Sequence, residues 1–230
     1  MSNIECFIHH HLGLGDHIIC NGLVRYIIKK YDVKNMCVVA KYSNINNIKR
    51  MFEDVPEVQF LVINEDKEFI DFYKTQGNTP LFRVGFEKCR NQEFDRSFYE
   101  SVGVPFQARW DYWDFQRNYE QENLLIEELD ITEDYIFVHD VSSVGTYDLN
   151  IDSDLRQIKL SRLKSEKSIF DWLGIIERAK EVHCINSSMI HLINSYNFNN
   201  KKFYHTIKET LRRENMGFSL QNDWRFVNYD

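Results

Sequence analysis

Short apolar runs alternate with helical patterns, a glycine-bearing turn follows the first run, and an aromatic stretch without periodicity interrupts the middle. Together these predict an α/β protein of two Rossmann-like domains facing a cleft. The expected boundaries are 1–105 and 121–230, with 106–120 (FQARWDYWDFQRNYE) as the crossover and the C-terminal tail packing back on the first domain. With 230 residues, 43% hydrophobic and 14% aromatic, the chain has apolar material for well-packed cores.

Ile4–Ile8 reads as the first strand. It runs into Gly13-Leu14-Gly15 and then a helix with Ile18, Ile19, Leu23, Ile27 and Ile28 on one face. Glycine suits such a turn because it tolerates positive φ and lets a ligand approach the backbone. Met36–Ala40 is a buried strand. Ser43 then caps a helix carrying Ile45, Ile48, Met51 and Phe52, which ends before Pro56. Val58–Ile63 is a third strand, Phe69–Lys74 a short helix, Leu81–Phe86 a fourth strand, and Phe94–Val102 a helix stopped by Gly103 and Pro105. Gln121–Leu129 is amphipathic. Tyr135–His139 opens a second run of the same logic. It continues through a polar loop (141–156), a strand at Gln157–Leu160, a helix over Ser168–Lys180, and a strand at Glu181–Ile185. A helix from Asn186-Ser187-Ser188 through Ser195 and a short strand at Lys202–Tyr204 complete it, and the tail is helical, then irregular through Trp224 and Phe226.

A formal charge of −7 argues against a dedicated nucleic-acid binder. Two basic clusters, Arg156/Lys159/Arg162/Lys164/Lys167 and Lys201/Lys202/Lys208/Arg212/Arg213, read as solvated faces. No apolar run is long enough to span a bilayer, and no basic segment precedes an apolar stretch at the N-terminus. The scattered cysteines, Cys6, Cys20, Cys37, Cys89 and Cys184, form no CxxC and suit buried thiols in a cytoplasmic protein.

Two helix starts carry the functional signal. In the first, Asp16 stands where a phosphate would otherwise bind, so the turn suits a neutral hydroxyl-bearing ligand beside a fixed acid, with Gly13, Gly15 and His17 around it. The dinucleotide fingerprint is excluded, since Ile18 occupies the position of its third glycine. On the residues alone, a plain N-cap is the commoner role of an Asp at a helix start. In the second, EVHCINSSMIHLINS (Glu181–Ser195), no acid follows Asn186, Ser187 and Ser188, and His191 lies on the same side as Ser187. That start suits a diphosphate, although a plain Ser-capped helix with His191 packed at the domain surface is the more ordinary arrangement. His139, Ser142 and Ser143 follow a strand at the same edge, and Arg156 and Lys159 could neutralise a leaving diphosphate in place of a metal. Asp152-Ser153-Asp154 spells a D-x-D metal pattern but follows no apolar strand, so no metal site is assigned. In His9-His10-His11, strand alternation puts His9 and His11 on one face, as a polar strand end lining the cleft.

The Gly15-Asp16 turn with its helix resembles the N-terminal motif of the ADP-heptose:lipopolysaccharide heptosyltransferase family and its GT-B relatives. IFDWLGIIERAKEVHCINSSMIHL (Ile169–Leu192) resembles that family's donor segment, with Asn186-Ser187-Ser188 in place of the usual Asp-Thr-Gly. The resemblance implies a GT-B-like fold and a metal-independent glycosyltransferase, hexosyl- or heptosyltransferase-like, using a nucleotide-diphosphate sugar as co-substrate and no cofactor. It implies Asp16 as the base on a hydroxyl acceptor, a glycan or less readily a modified DNA base. It implies Ser187, Ser188 and His191 as donor contacts. Two rivals remain: a SAM-dependent methyltransferase, whose loop usually has an acid that this chain lacks before Gly13, and a non-catalytic nucleotide- or glycan-binding module of the same fold.

Overall fold

The computed structural model describes residues 4–85, 93–162, 167–207, 217–221 and 223–229. The chain divides into two compact units: Met1–Gln116 with Gly217–Ser219, and Arg117–Met216 with Leu220–Asp230. The aromatic stretch read as a crossover straddles this division, its residues through Gln116 belonging to the first unit.

The first unit runs β1 (Cys6–His9), α1 (Leu14–Tyr31), β2 (Met36–Lys41), α2 (Ile45–Met51), β3 (Val58–Ile63), α3 (Asp66–Tyr73), β4 (Leu81–Arg83), α4 (Phe94–Ser101) and α5 (Ala108–Asp111). Its sheet has the order β3-β2-β1-β4, and every pairing is parallel. Phe7, Leu12, Cys37, Val39, Ile63 and Phe69 form one core cluster, with Phe72 and Tyr73 rings at 6.0 and 5.7 Å from Phe7. Ser43 does not cap α2. It lies in a 3-10 turn, Tyr42–Asn44, and Asn44 precedes the helix. Phe86, at the end of the expected fourth strand, lies outside the described residues, as do Cys89, Lys164, Lys208, Arg212 and Arg213.

Helix α1 differs from the one-faced pattern expected of it. Residues 17 to 24 are buried without interruption. The sheet takes one side, while the 106–116 segment lies against another: Asn21 Nδ2 donates to Asp114 O at 3.1 Å, and Asp114 N donates to Asn21 Oδ1 at 3.2 Å. Gly22 makes this approach possible, since a Cβ there would stand 2.4 Å from Ala108 O and 2.9 Å from Arg109 O. Both obstacles are backbone, so Gly22→Ala is expected to destabilise the unit by roughly 2 kcal/mol. Urea denaturation of the variant beside the parent measures this, and an unchanged midpoint would contradict the close approach. Arg109 is buried with Asp95 as its ion-pair partner, and Ser219 N also donates to Asp95 Oδ2 at 2.9 Å.

The second unit runs α6 (Tyr119–Glu128), β5 (Tyr135–His139), β6 (Arg156–Lys159), α7 (Leu173–Arg178), β7 (Glu181–Ile185), α8 (Ser188–Asn194), β8 (Lys201–Thr206) and β9 (Trp224–Asn228). The sheet order is β6-β5-β7-β8-β9, again parallel throughout. Ser168 does cap its element, a 3-10 turn at Ile169–Trp172 leading into α7, with Asp171 bonding back to Ser168 N at 3.0 Å. The tail is not irregular at Trp224 and Phe226. Those residues form β9, in register with Lys202 and Tyr204 of β8. Gly217–Ser219 belong instead to the first unit, where Phe94 N donates to Gly217 O at 2.9 Å.

Of the basic clusters, Lys201 pairs with Glu181 at 2.9 Å and Lys167 with Glu128 at 3.1 Å. Lys202 is no part of a solvated face; it is buried on Phe198 O. Cys6, Cys20, Cys37 and Cys184 are free and buried. No helix among the described residues is long and apolar enough to cross a membrane.

Candidate functional site

In open parallel sheets, ligands bind beyond the carboxyl ends of strands where the chain order reverses. In the first unit that point lies between β1 and β4. Leu12, not a glycine, takes the left-handed conformation there, with φ 62°. Its N–H donates to His10 Nδ1 at 3.2 Å, and its carbonyl accepts from Asn44 Nδ2 at 3.1 Å. Those two bonds and a side chain 1% exposed offset the strain of that conformation.

Gly13 is the N-cap of α1, in extended conformation at φ −70°. Positive φ is therefore not what requires glycine there. A Cβ on Gly13 would stand 2.6 Å from Asp16 Oδ2, so the glycine clears space for the acid. Asp16 is the third helical residue rather than the cap, and its Oδ2 accepts from Gly13 N at 3.1 Å. One carboxylate oxygen thus closes the helix start. Gly15 is the second residue of α1.

His17 cannot meet an acceptor as expected. It is 1% exposed, packed against His10 with ring centroids 4.1 Å apart, and neither of its ring nitrogens has a hydrogen-bond partner among the described residues. Burial drives its pKa down to about 3. The expected face-sharing of His9 and His11 also fails. Strand β1 ends at His9 and the Leu12 turn breaks the alternation, so His9 and His10 are both buried while His11 is exposed, its ring 5.4 Å from Phe98. His9 Nε2 lies 3.1 Å from Asp66 Oδ1. Burial lowers the His9 pKa, and the Asp66 carboxylate opposes that shift. Asp66, at the start of α3, escaped the sequence reading because only the folded sheet brings α3 to the end of β1.

In the second unit the chain order reverses between β5 and β7. His139 ends β5, and its Nδ1 lies 3.1 Å from Ser187 Oγ beyond β7. Ser187 is the N-cap of α8, its Oγ also accepting from Met189 N at 3.2 Å. Burial lowers the His139 pKa to about 4, with Asp140 opposing, so the ring is neutral near pH 7. Asn186 and Ser188 flank Ser187, while His191 is buried, 4% exposed, on the body of α8.

Ser142 and Ser143 follow β5 in a tight turn: Ser142 N donates to Gly145 O at 2.8 Å, and Val144 N donates to Ser142 Oγ at 3.1 Å. Lys159 closes β6 in register with Val138, at the carboxyl end, 3.6 Å from the exposed Asp148. Arg156 is not brought to that end. It is in register with Tyr135 at the amino edge, and its guanidinium donates to the carbonyls of Leu129 and Asp130 at 2.8 and 2.7 Å. A five-residue strand rises roughly 13 Å from end to end, which separates Arg156 from Ser187.

Asp140 was also missed, although the sequence places it directly after an apolar strand. It is buried and accepts from Ser161 Oγ at 2.5 Å and Ser161 N at 3.1 Å, tying the ends of β5 and β6 together. Asp152 and Asp154 are exposed on irregular backbone, and no group of three or more His, Cys, Asp or Glu among the described residues could hold a metal ion.

No family model matches the sequence, and no curated protein matches it at a significant level. Solved structures do match. A family 9 glycosyl transferase from Veillonella parvula DSM 2008 aligns over 100% of this chain and 87% of its own, at 10% identity and a TM-score of 0.53. The ADP-heptose LPS heptosyltransferase II of E. coli aligns over 97% of this chain and 90% of its own, at 10% identity and a TM-score of 0.56. TibC of enterotoxigenic E. coli H10407, an iron-containing dodecameric glycosyltransferase also solved in complex with ADP-D-beta-D-heptose, aligns over 89% of this chain and 60% of its own, at 12% identity and a TM-score of 0.54. With two parallel α/β sheets and these neighbours, the chain has a fold similar to that of the heptosyltransferases, along essentially its whole length.

Proposed function

We propose that the protein is a glycosyltransferase that moves a sugar from a nucleotide-diphosphate sugar to a hydroxyl acceptor. The observation that carries this reading is the His139–Ser187 hydrogen bond at the β5/β7 reversal, in a fold similar to that of heptosyltransferases. A buried neutral imidazole holding a serine hydroxyl at that point gives a pre-oriented polar contact for a phosphate oxygen. Lys159 at the neighbouring strand end supplies a cation for the leaving diphosphate without a metal. Arg156 is left out of this set.

On the acceptor side, the proton of the acceptor hydroxyl passes to the Asp16 carboxylate as its oxygen bonds to the sugar's anomeric carbon. The bond from that carbon to the diphosphate oxygen breaks, and the nucleoside diphosphate leaves with the electron pair. The proposed donor end lies on the second unit and the proposed acceptor end on the first.

A thermal-shift series with UDP, GDP, ADP, CMP and dTDP, their sugar forms and S-adenosylmethionine tests the reading. One nucleotide diphosphate is expected to stabilise the protein by about 2.7 kcal/mol at a hundredfold excess over Kd, and to do so with chelator present. Ser187→Ala is expected to weaken that nucleotide about tenfold by calorimetry, and Arg156→Ala to leave it unchanged. Stabilisation by S-adenosylmethionine alone would overturn the reading in favour of a methyltransferase.

A further inference from the structure

Beside the candidate donor end, the second unit contains a continuous line of side-chain hydrogen bonds. Glu181 Oε2 lies 3.4 Å from His183 Nε2, His183 Nδ1 lies 2.9 Å from His205 Nε2, and His205 Nδ1 lies 2.7 Å from Tyr229 Oη. Tyr229 Oη in turn accepts from Asn150 N at 2.8 Å. His183 and His205 are 4% and 0% exposed. The line joins β7, β8 and the residue after β9 to the connection between β5 and β6, the same connection that carries Ser142 and Ser143.

The two ends dictate every hydrogen between them. Burial raises the Glu181 pKa, but its hydrogen bonds to Lys201 and His183 together outweigh that and lower it, so Glu181 is an ionised acceptor and His183 must present Nε2–H to it. A neutral His183 then has a bare Nδ1 and accepts Nε2–H from His205. A neutral His205 has a bare Nδ1 and accepts the Tyr229 O–H. Tyr229 retains a lone pair for Asn150 N. Only this direction, Tyr229 to His205 to His183 to Glu181, satisfies all four links with both imidazoles neutral.

We infer that this line is a proton-sensitive latch that holds the β5–β6 connection onto the sheet. One added proton on His183 forces His205 into the opposite tautomer. Its Nδ1–H then donates to Tyr229 Oη, which the ring had accepted from before, and the tyrosine hydrogen is left without its acceptor. The charged groups facing the line are Glu181 on β7, Lys201 on β8, Arg225 on β9, whose guanidinium lies 5.7 Å from the Phe203 ring, and Asp148 on the connection. The Phe203 ring stacks on His183 with centroids 4.5 Å apart and adds no charge. Burial holds both imidazoles below the usual histidine range, His205 at about 4, so the latched state is the one present at neutral pH. The consequence for nucleotide binding rests on the donor role proposed for the β5 end; the latch itself does not.

Long-range nitrogen–proton NMR of the intact chain at pH 7.5 reads both tautomers directly. Both rings are expected as Nε2–H, and an Nδ1–H form of either would overturn the latch. Hydrogen exchange at the Asn150 amide gives the second readout. If one imidazole regains ordinary proton affinity when the connection opens, the opening equilibrium rises about fourfold between pH 7.5 and 6.0 while β5 and β7 amides stay protected. Tyr229→Phe, which keeps the ring, is expected to raise opening about tenfold at pH 7.5 and to remove most of its pH dependence. Opening that is unchanged by both pH and the variant overturns the proposal. Nucleotide binding at pH 7.5 that weakens at pH 6.0 ties the latch to the donor site. A working latch in a chain that binds no nucleotide would overturn the proposed function alone.

Discussion

Acidification from pH 7 toward pH 5 is expected to lower the stability of both units steeply, above the pH at which most carboxylates protonate. Burial lowers the proton affinity of His9, His10, His17, His139, His183 and His205, with His17 at about 3 and His139 and His205 at about 4. In the unfolded chain each titrates near 6.5. Between those values the unfolded state binds more protons than the folded one, so stability falls as pH falls. The contribution is fully present above about pH 6.5 and is lost progressively toward pH 4. Near pH 5, His139 and His205 alone give the second unit a slope of about two protons, or roughly 2.5 kcal/mol per pH unit, and His17 gives the first unit about one proton. Domains of this size usually have a net stability of about 5–15 kcal/mol, so a fall of about two pH units removes from the second unit an amount comparable with the lower end of that range. His10 and His17 place this sensitivity in the first unit, and His139 and His205 in the second. Urea midpoints at pH 7.5, 6.5, 5.5 and 4.5 measure the slope; a midpoint flat down to pH 5 would contradict the neutral burial of these rings.

Asp16→Asn is expected to slow sugar transfer at least about a hundredfold while leaving a folded chain that still binds the nucleotide. The reasoning starts from the helix terminus. Asp16 Oδ2 is engaged by Gly13 N at 3.1 Å, and the side-chain oxygen of Asn accepts that bond as well. What the substitution removes is the basic carboxylate, not the closure of the helix start. The helix dipole favours the ionised form at this position, which keeps a base available near pH 7. Gly13→Ala is the complementary probe, because its Cβ would displace Asp16 Oδ2. Transfer is measured with the nucleotide sugar identified by thermal shift. A variant Asp16→Asn with near-normal turnover would reduce the residue to its helix-closing role.

Strand positions were legible because burial on both faces of a parallel sheet demands near-continuous apolar runs, as in Tyr135–His139 and Glu181–Ile185. Ser187 as a cap was legible for a local reason too, since its oxygen bonds a backbone N–H two residues on. The errors share the opposite character. His17 looked available beside Asp16, but the fold packs it on His10. Arg156 looked close to the diphosphate end, but parallel register carries it to the far edge of the sheet. Trp224 and Phe226 looked irregular because an edge strand has only one neighbour to reveal it, and that neighbour, β8, is some twenty residues earlier.

The α/β class, most strand positions and the two helix starts can be read from the residues alone, because each depends on residues within a few positions of one another. The tertiary structure decided which side chains share an end of a sheet. It joined His139 to Ser187 and His9 to Asp66, and it linked His183 on β7 and His205 on β8 to Tyr229 just after β9. Those meetings depend on strand order and register, which are set by packing between segments far apart in the chain and leave no periodic mark in the sequence.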